Sequence, residues 1–462
     1  MRYKIADNSK QQYRSWWVSA YGIGGVLLQP FVRGLLRWRA WRAREELQRL
    51  PERRGIASLP RPDGYLLWVH AVSVGEVLSV LRLTQRIHQG HQPTILFTTT
   101  TVSGARIIDR YITASGLDGI IHQYLPVDCP GWIRKFLDHW QPDSVVWVES
   151  DFWPQIMAEV HFREIPAVLI NARLSERSAR MSKLIRPVLK PAIEGFRLCL
   201  TTDTEQIAHF EALGAANVHC LGNLKAAPNP VLEQLSKDPD PVTQSAPGPN
   251  WIAISTHQGE EEPIIAAHKR LIDTFPQLLT IIAPRDINRA QQIEDMATAA
   301  NLTVQRKSHG SGSSEVHLGG AIYIVDTMGE LGEVLPTCSA ALVGGSLIPR
   351  GGHNPYEPIY FNNVLLHGPN TTNFHDVYSR IRNNSASWLV HDGEELVSAL
   401  QAILSTPKLR SVYTERAHNT ICGCDVVTEE VFQAIDRVIF GSLRNKVPGH
   451  DSNPAKSVCG SL

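Results

Sequence analysis

Metal-binding and disulfide signatures are what this chain lacks. Its seven cysteines (Cys129, Cys199, Cys220, Cys338, Cys422, Cys424, Cys459) are scattered, odd in number and without paired zinc spacing, and Cys422-Gly-Cys424 alone makes no metal site. The eighteen histidines include no His-Glu-x-x-His. A structural zinc and a disulfide-stapled secreted domain are therefore not indicated, and the thiols suit a reducing compartment. Neither sign of charge is in excess, 45 Lys and Arg facing 45 Asp and Glu, which leaves nucleic-acid binding poorly supported. Internal repeats are missing, as is the short apolar core with a small-residue cleavage site that marks a secretory leader.

Long apolar runs are missing too, with one exception. Residues 15–32 carry no charge, reach only the lower length limit of a membrane span, and are weakened as one by Gly22, Gly24, Gly25, Gln29 and Pro30. They lie within residues 1–56, where twelve Lys and Arg against four Asp and Glu give +8, so the remainder is −8. Arg33, Arg37, Arg39, Arg42 and Arg44 follow directly. The pattern predicts a basic arm that anchors in a membrane, or lies in its plane, with the arginines on anionic headgroups at the cytoplasmic side. A helix merely packed on the body is the competing reading.

With 462 residues, 43% of them hydrophobic, the chain can fill two cores. Apolar runs at 65–70, 94–99, 144–148, 167–170 and 198–201 alternate with helix-like stretches, and a second series follows at 251–255, 278–283, 322–325, 340–343 and 364–366. Such alternation predicts two α/β domains, each a doubly wound parallel sheet covered by helices on both faces, with sites at the strand C-terminal ends facing a shared cleft. Six prolines between 226 and 250 mark a linker that cannot sustain a helix or inner strand. The expected units are the arm 1–56, a first domain 57–227, a linker 228–250, a second domain 251–443 and a disordered tail 444–462.

Between residues 340 and 357 an apolar strand runs into two glycine pairs, Gly344-Gly345 and Gly351-Gly352, then His353-Asn354-Pro355 and Glu357. Glycine permits close backbone approach and positive φ, and free N–H groups at a helix start attract an anion. The order predicts a phosphate pocket at Gly344, Gly345, Ser346, Gly352 and His353, with Glu357 accepting from ribose hydroxyls. A glycine-rich turn that binds nothing suits a lone pair better; two pairs joined to His-Asn-Pro-x-Glu favour the pocket.

Acids and bases cluster at other strand ends. Leu66-Leu-Trp-Val-His70 turns through Ser73-Val-Gly75-Glu76 into a helix whose N-terminus should keep Glu76 ionised and fit to act as a general base, although Ser73 and Glu76 also match a capping box. Glu149 and Asp151 follow another strand and can position an acceptor hydroxyl or simply cap a loop. Arg173, Arg177, Lys225 and Arg285 stand at the same edge of each sheet, where a cation can hold phosphate or carboxylate or form a surface ion pair. The only Asp-x-Asp triplet, Asp238-Pro-Asp240, lies in the linker, away from any strand end that would hold a metal-bound diphosphate.

From about residue 64 to 377 these segments resemble, in order, the 3-deoxy-D-manno-oct-2-ulosonic acid (Kdo) transferases of lipopolysaccharide synthesis, membrane-associated glycosyltransferases of the GT-B fold. The motifs are His-Ala-Val-Ser-Val-Gly-Glu, Thr-Thr-Thr-Thr-Val-Ser-Gly, Tyr-Leu-Pro-Val-Asp, Phe-Trp-Pro, Asn-Ala-Arg-Leu-Ser-Glu-Arg-Ser, Gly-Asn-Leu-Lys, Ser-Thr-His-Gln-Gly-Glu-Glu, Asp-Thr-Met-Gly-Glu-Leu and Gly-Gly-Ser to His-Asn-Pro-Tyr-Glu-Pro. The resemblance implies transfer of Kdo from CMP-Kdo to the 6′-hydroxyl of a lipid A precursor, with inversion and without metal or other cofactor, at the cytoplasmic face of the inner membrane. It implies Glu76 as base, Met328, Gly329 and Glu330 on the nucleotide side, Asn354 and Glu357 toward the ribose, and Ser255, Thr256 and His257 in the cleft. Two departures stand out: Asp286 where the family usually has histidine after Pro-Arg, and Asp151-Phe152 where it has a Glu followed by an aliphatic residue. A nucleotide-sugar epimerase of like architecture and a non-catalytic binder of the lipid precursor are the competing functions.

Overall fold

The computed structural model describes residues 16–42, 44–149, 151–174, 186–226, 230–309, 319–327, 329–421 and 424–441. Its first sheet holds β1 (Leu66–His70), β2 (Thr94–Thr99), β3 (Ile120–Tyr124), β4 (Ser144–Val148), β5 (Ala167–Ala172), β6 (Leu198–Thr201) and β7 (Val218–Cys220), in the order β3-β2-β1-β4-β5-β6-β7. The second holds β8 (Asn250–Thr256), β9 (Leu279–Pro284), β10 (Thr303–Arg306), β11 (Ala321–Ile324), β12 (Ala340–Val343), β13 (Val364–His367) and β14 (Trp388–Leu389), in the order β10-β11-β9-β8-β12-β13-β14. All pairings are parallel.

Burial on both faces explains the unbroken apolar strands. In β1, Leu66 and Trp68 enter one core with Trp140 and Trp147, while Leu67 and Val69 enter the opposite core with Val77, Val80 and Leu81. The two seven-stranded parallel sheets match the α/β expectation. The ten expected strands are present, and the four that the sequence did not show, β3, β7, β10 and β14, are the four sheet edges.

Three boundaries differ from expectation. Residues 47–56 belong to the first domain and not to the arm: Glu52 is buried, pairs with Arg49 and accepts from the Tyr124 N–H at 2.8 Å. The proline-rich linker does carry helices, Pro230–Leu235 and Pro241–Gln244, because each proline falls in a first turn whose N–H would be unpaired anyway. The end of the second domain is set too late: helix Cys424–Ile435 and the π-helical turn Asp436–Phe440 pack on helix Val74–His91, with Val431, Phe432, Ile435, Ile439 and Phe440 inside the first domain's core. Phe440 stacks on His91 with centroids 4.0 Å apart, and His91 bonds Asp436 at 2.6 Å. The tail beyond 441 lies outside the described residues.

The arm is two helices, Trp16–Leu27 and Gln29–Trp41, and no helix among the described residues is long and apolar enough to cross a membrane. Gly22 and Gly25 let the first helix settle against the body, since a Cβ at Gly22 would stand 2.8 Å from Gln155 Nε2 and 3.1 Å from Pro130 Cγ. The outer side stays open, with Ile23, Leu27, Phe31 and Trp41 at 63–80% exposure.

Replacing Phe440 by Ala should lower unfolding free energy by about 3 kcal/mol, the usual range for a buried aromatic truncated to alanine. Urea titration checks this; an unchanged midpoint would mean that the returning segment is not part of the first core.

Candidate active site

The C-terminal ends of both sheets meet at a cavity of about 360 Å³. Ser73, Gly75 and Lys225 line it from the first domain, and Ser255, Arg285, Gly329, His353, Asn354 and Glu357 from the second. Of the residues expected from sequence, Arg177 and Met328 lie outside the described residues.

Ser73 caps helix Val74–His91: its Oγ accepts from the Glu76 N–H and donates to Glu76 Oε1 at 2.9 Å, while Glu76 Oε2 accepts from the Val72 N–H at 2.7 Å. The capping reading is therefore realised, and the carboxyl is turned back onto Val72 and Ser73 rather than lining the cavity as a group aimed into the cleft would. The expectation that the helix end keeps Glu76 fully ionised is corrected. Burial and the neighbouring Glu149 charge, with Asp151 adding to them, outweigh the two hydrogen bonds and push the carboxyl up to about 7. Glu76 is only 7% exposed and stands just behind the Ser73–Gly75 wall, within electrostatic reach of Glu149 and Asp151.

Glu149 follows β4 with φ 60° and forms an ion pair with Lys225. Its Oε1 also accepts from Asn171 Nδ2 at 3.3 Å, and Asn171 Oδ1 accepts from the Leu224 N–H at 3.0 Å. The Asp151 carboxyl is raised by partial desolvation and by the Glu149 charge, although the residue as a whole reaches solvent. The Arg173 guanidinium donates to the backbone carbonyls of Asn373 and Thr372 in the other domain.

Much of the glycine loop of the second domain is bonded to the protein's own groups. Glu260, with no exposure, accepts from the N–H groups of Gly345 at 2.7 Å, His257 at 3.0 Å and Leu347 at 3.1 Å. Gly344 N–H bonds Ile254 O, Gly352 N–H bonds Gly345 O, and the buried Ser346 hydroxyl donates to Val343 O while accepting from Gly368 N–H. Thr256 is likewise buried, its hydroxyl on Glu261. No amide of Gly344, Gly345 or Gly352 is left for a ligand. Glu260 lies in the Ser-Thr-His-Gln-Gly-Glu-Glu motif, and its spacing from His257, like that of Glu76 from Ser73, is the signal that would have found it.

What remains open to the cavity is smaller. Arg285 is exposed and, among the described residues, has no carboxylate within ion-pair distance. Asp286 does not neutralise it, because its carboxylate caps the next turn through the Asn288 N–H at 3.1 Å. His257 and His353 stack with a 2.7 Å contact between their Nε2 atoms; burial lowers both, His353 to about 4 with Arg285 contributing, so two neutral rings share one hydrogen. Asn354 bonds Glu357 at 3.2 Å, and burial raises the Glu357 carboxyl. Gly329 lines the cavity against Arg110, whereas Glu330 is turned to Thr327, Arg110 and Lys307.

Two parallel-sheet domains thus face one cavity, with a buried acid behind one wall and, on the other, an arginine that has no carboxylate partner among the described residues; the comparisons name the class. Residues 48–227 match the family model described as 3-deoxy-D-manno-octulosonic-acid transferase (kdotransferase). A probable mitochondrial 3-deoxy-D-manno-octulosonic acid transferase of Arabidopsis thaliana is 31% identical, over 94% of this chain and 98% of that one. The 3-deoxy-D-manno-octulosonic acid transferase of Haemophilus influenzae is 32% identical, over 90% and 95%. In solved structures, a putative UDP-N-acetylglucosamine 2-epimerase from Listeria monocytogenes shares the fold at 11% identity, with a TM-score of 0.57 over 83% of this chain and 98% of that one. The chain belongs to the Kdo transferase family, and it is a glycosyltransferase.

The raised Glu76 pKa carries a stability consequence. From about pH 4.5 to about 7 the folded state holds a proton that the unfolded chain has released, so this group's contribution to stability is lost as pH rises through that window. Glu76→Gln should therefore be more stable than wild type at pH 8, by about 2 kcal/mol, and no more stable near pH 4. Thermal melts at the two pH values decide it; equal melting at pH 8 would refute the burial argument.

Proposed function

We propose that this enzyme transfers Kdo from CMP-Kdo to the 6′-hydroxyl of a lipid A precursor, inverting the anomeric centre, without a metal, at the cytoplasmic face of the inner membrane. The observation that carries the reading is a buried carboxyl, fixed by Val72 and Ser73, behind the wall of a cavity whose far side bears Arg285; burial and the Glu149 charge raise its proton affinity toward neutrality. A base of that strength is matched to an alcohol proton at physiological pH.

The acceptor hydroxyl approaches Glu76 from the side of Glu149 and Asp151. As its oxygen attacks the Kdo anomeric carbon, the proton passes to Glu76 and the bond to the CMP phosphate breaks with oxocarbenium character. Negative charge gathers on that phosphate, and Arg285 is the cation free to meet it, with Lys225 across the cavity. Asn354 and Glu357 accept and donate to the cytidine ribose. With the Gly345 and Leu347 amides taken by Glu260 and those of Gly344 and Gly352 by backbone carbonyls, the charged side chains carry the larger part of the phosphate stabilisation in this reading. Asp240, the second acid of the lone Asp-x-Asp triplet, is committed to Lys307, Tyr323 and the cap of helix Pro241–Gln244, which supports a metal-free reading.

Glu76→Gln should lower kcat by about 10²- to 10⁴-fold, the ordinary range for a lost general base. The assay is mass spectrometry of the lipid made from CMP-Kdo and a tetra-acylated disaccharide precursor, with and without EDTA. Product unchanged by the substitution would remove Glu76 from the chemistry, loss with EDTA would overturn the metal-free reading, and turnover of UDP-sugars without lipid would favour the epimerase alternative. An inactive wild type that still binds the lipid would favour the binder.

The arm supplies the membrane part of the reading. Ile23, Leu27, Phe31 and Trp41 project outward beside the exposed Arg33 and Arg37, an apolar face rimmed by cations that suits the plane of an anionic bilayer. Phe31→Asp should weaken binding to vesicles containing anionic lipid by about tenfold or more in a sedimentation assay. Retention of full binding would place the contact elsewhere.

A further inference from the structure

One strand end in each sheet is bulged beside the cavity. The β5–β6 register slips between Leu169 and Ala172, and the β8–β9 register between Ile254 and Thr256. The residues inside the slips, Asn171 with φ 53° and Ser255 with φ 54°, are left-handed. Glu149, at the neighbouring end of β4, is left-handed as well. Such backbone costs on the order of 1 kcal/mol or more on a non-glycine residue, asparagine tolerates it best, and bulges serve to re-aim a side chain.

Asn171 is 3% exposed and uses both ends of its carboxamide. Nδ2 donates to the same Glu149 oxygen that takes the Lys225 ammonium, and Oδ1 accepts from Leu224, the residue before Lys225. Without the bulge the side chain of residue 171 would alternate to a sheet face and reach neither. The charged groups that bear on Glu76 are Glu149 and Asp151 from the loop after β4, with Lys225, paired to Glu149, from the turn after β7. Asn171 bonds one member of that pair, Glu149, directly and the backbone N–H of the residue before the other.

We propose that Asn171 is a positioning residue for the transfer: through its carboxamide the β5 bulge holds Glu149 and Lys225 as one unit beside Glu76. This rests on the assignment of Glu76 as base. Removing the carboxamide frees Glu149 to move relative to the acceptor path and lets the Lys225 turn drift from the cavity wall, which disturbs the reacting geometry more than the docking of the nucleotide.

Asn171→Gly keeps the left-handed backbone and deletes the carboxamide. Its kcat should fall about 10- to 100-fold, with KM for CMP-Kdo within about threefold of wild type, since small misplacements of reacting groups cost rates of this order. Asn171→Asp keeps the shape, introduces an anion against Glu149, and should move the acid limb of the kcat/KM profile to higher pH by about half a unit or more, because added negative charge raises the base's proton affinity. Thermal melts accompany both, and the near-isosteric Asn171→Asp carries the test if the glycine variant does not fold. A folded Asn171→Gly with wild-type kcat, or an unmoved acid limb in Asn171→Asp, would overturn the positioning role alone. An inactive wild type would overturn the base assignment and this inference together.

Discussion

Glu260 bonds three amides from two different loops, and the shape of the second domain's cavity wall follows from that contact. By accepting from His257, Gly345 and Leu347 it fastens the turn after β8 to the turn after β12. Hydrogen bonds from a buried carboxylate to backbone amides are worth about 1.5–3 kcal/mol each when nothing else can satisfy the charge. The loops can close so tightly only because residue 344 is glycine, where a Cβ would fall 2.4 Å from Ser255 O. Gly352 and His353 then bond back to Gly345 and Gly344, so the places of His353, Asn354 and Glu357 are inherited from one carboxylate.

The two domains use the same device for opposite ends. Glu76 and Glu260 both stand at the start of the helix that follows the first strand of their sheet, and both reach back to an amide, of Val72 and of His257. Glu260 is saturated with donors and serves only architecture. Glu76 has two donors, a like charge nearby and little water, so its proton is poised to leave or return near neutrality. A carboxyl held in that state weakens the fold above neutral pH, where burial opposes its charge.

Much of this was legible in the sequence because inner strands of a parallel sheet are apolar on both faces. The strands missed were edges: β7 and β14 are only half-buried, β10 begins exposed, and β3 carries His122 and Gln123 among its apolar residues. At the site, Ser73, Gly75, Lys225, Arg285, His353, Asn354 and Glu357 could be read from motifs at strand ends and do surround one cavity. At the glycine loop, sequence shows which amides a turn offers and not what occupies them; the Gly345 amide is taken by Glu260, 85 residues earlier in the chain. Asn171 escaped for a related reason, since a bulge is a property of pairing between β5 and β6, not of either strand alone.

The chain passes between its two domains twice, outward through residues 226–250 and back between Ile421, in the second domain's core, and helix Cys424–Ile435, in the first's. Two covalent connections leave a pair of domains fewer relative motions than one would. Any opening of the cleft must therefore be accommodated at both crossings at once, so the walls bearing Gly75 and Arg285 are less free to part than a single link would leave them.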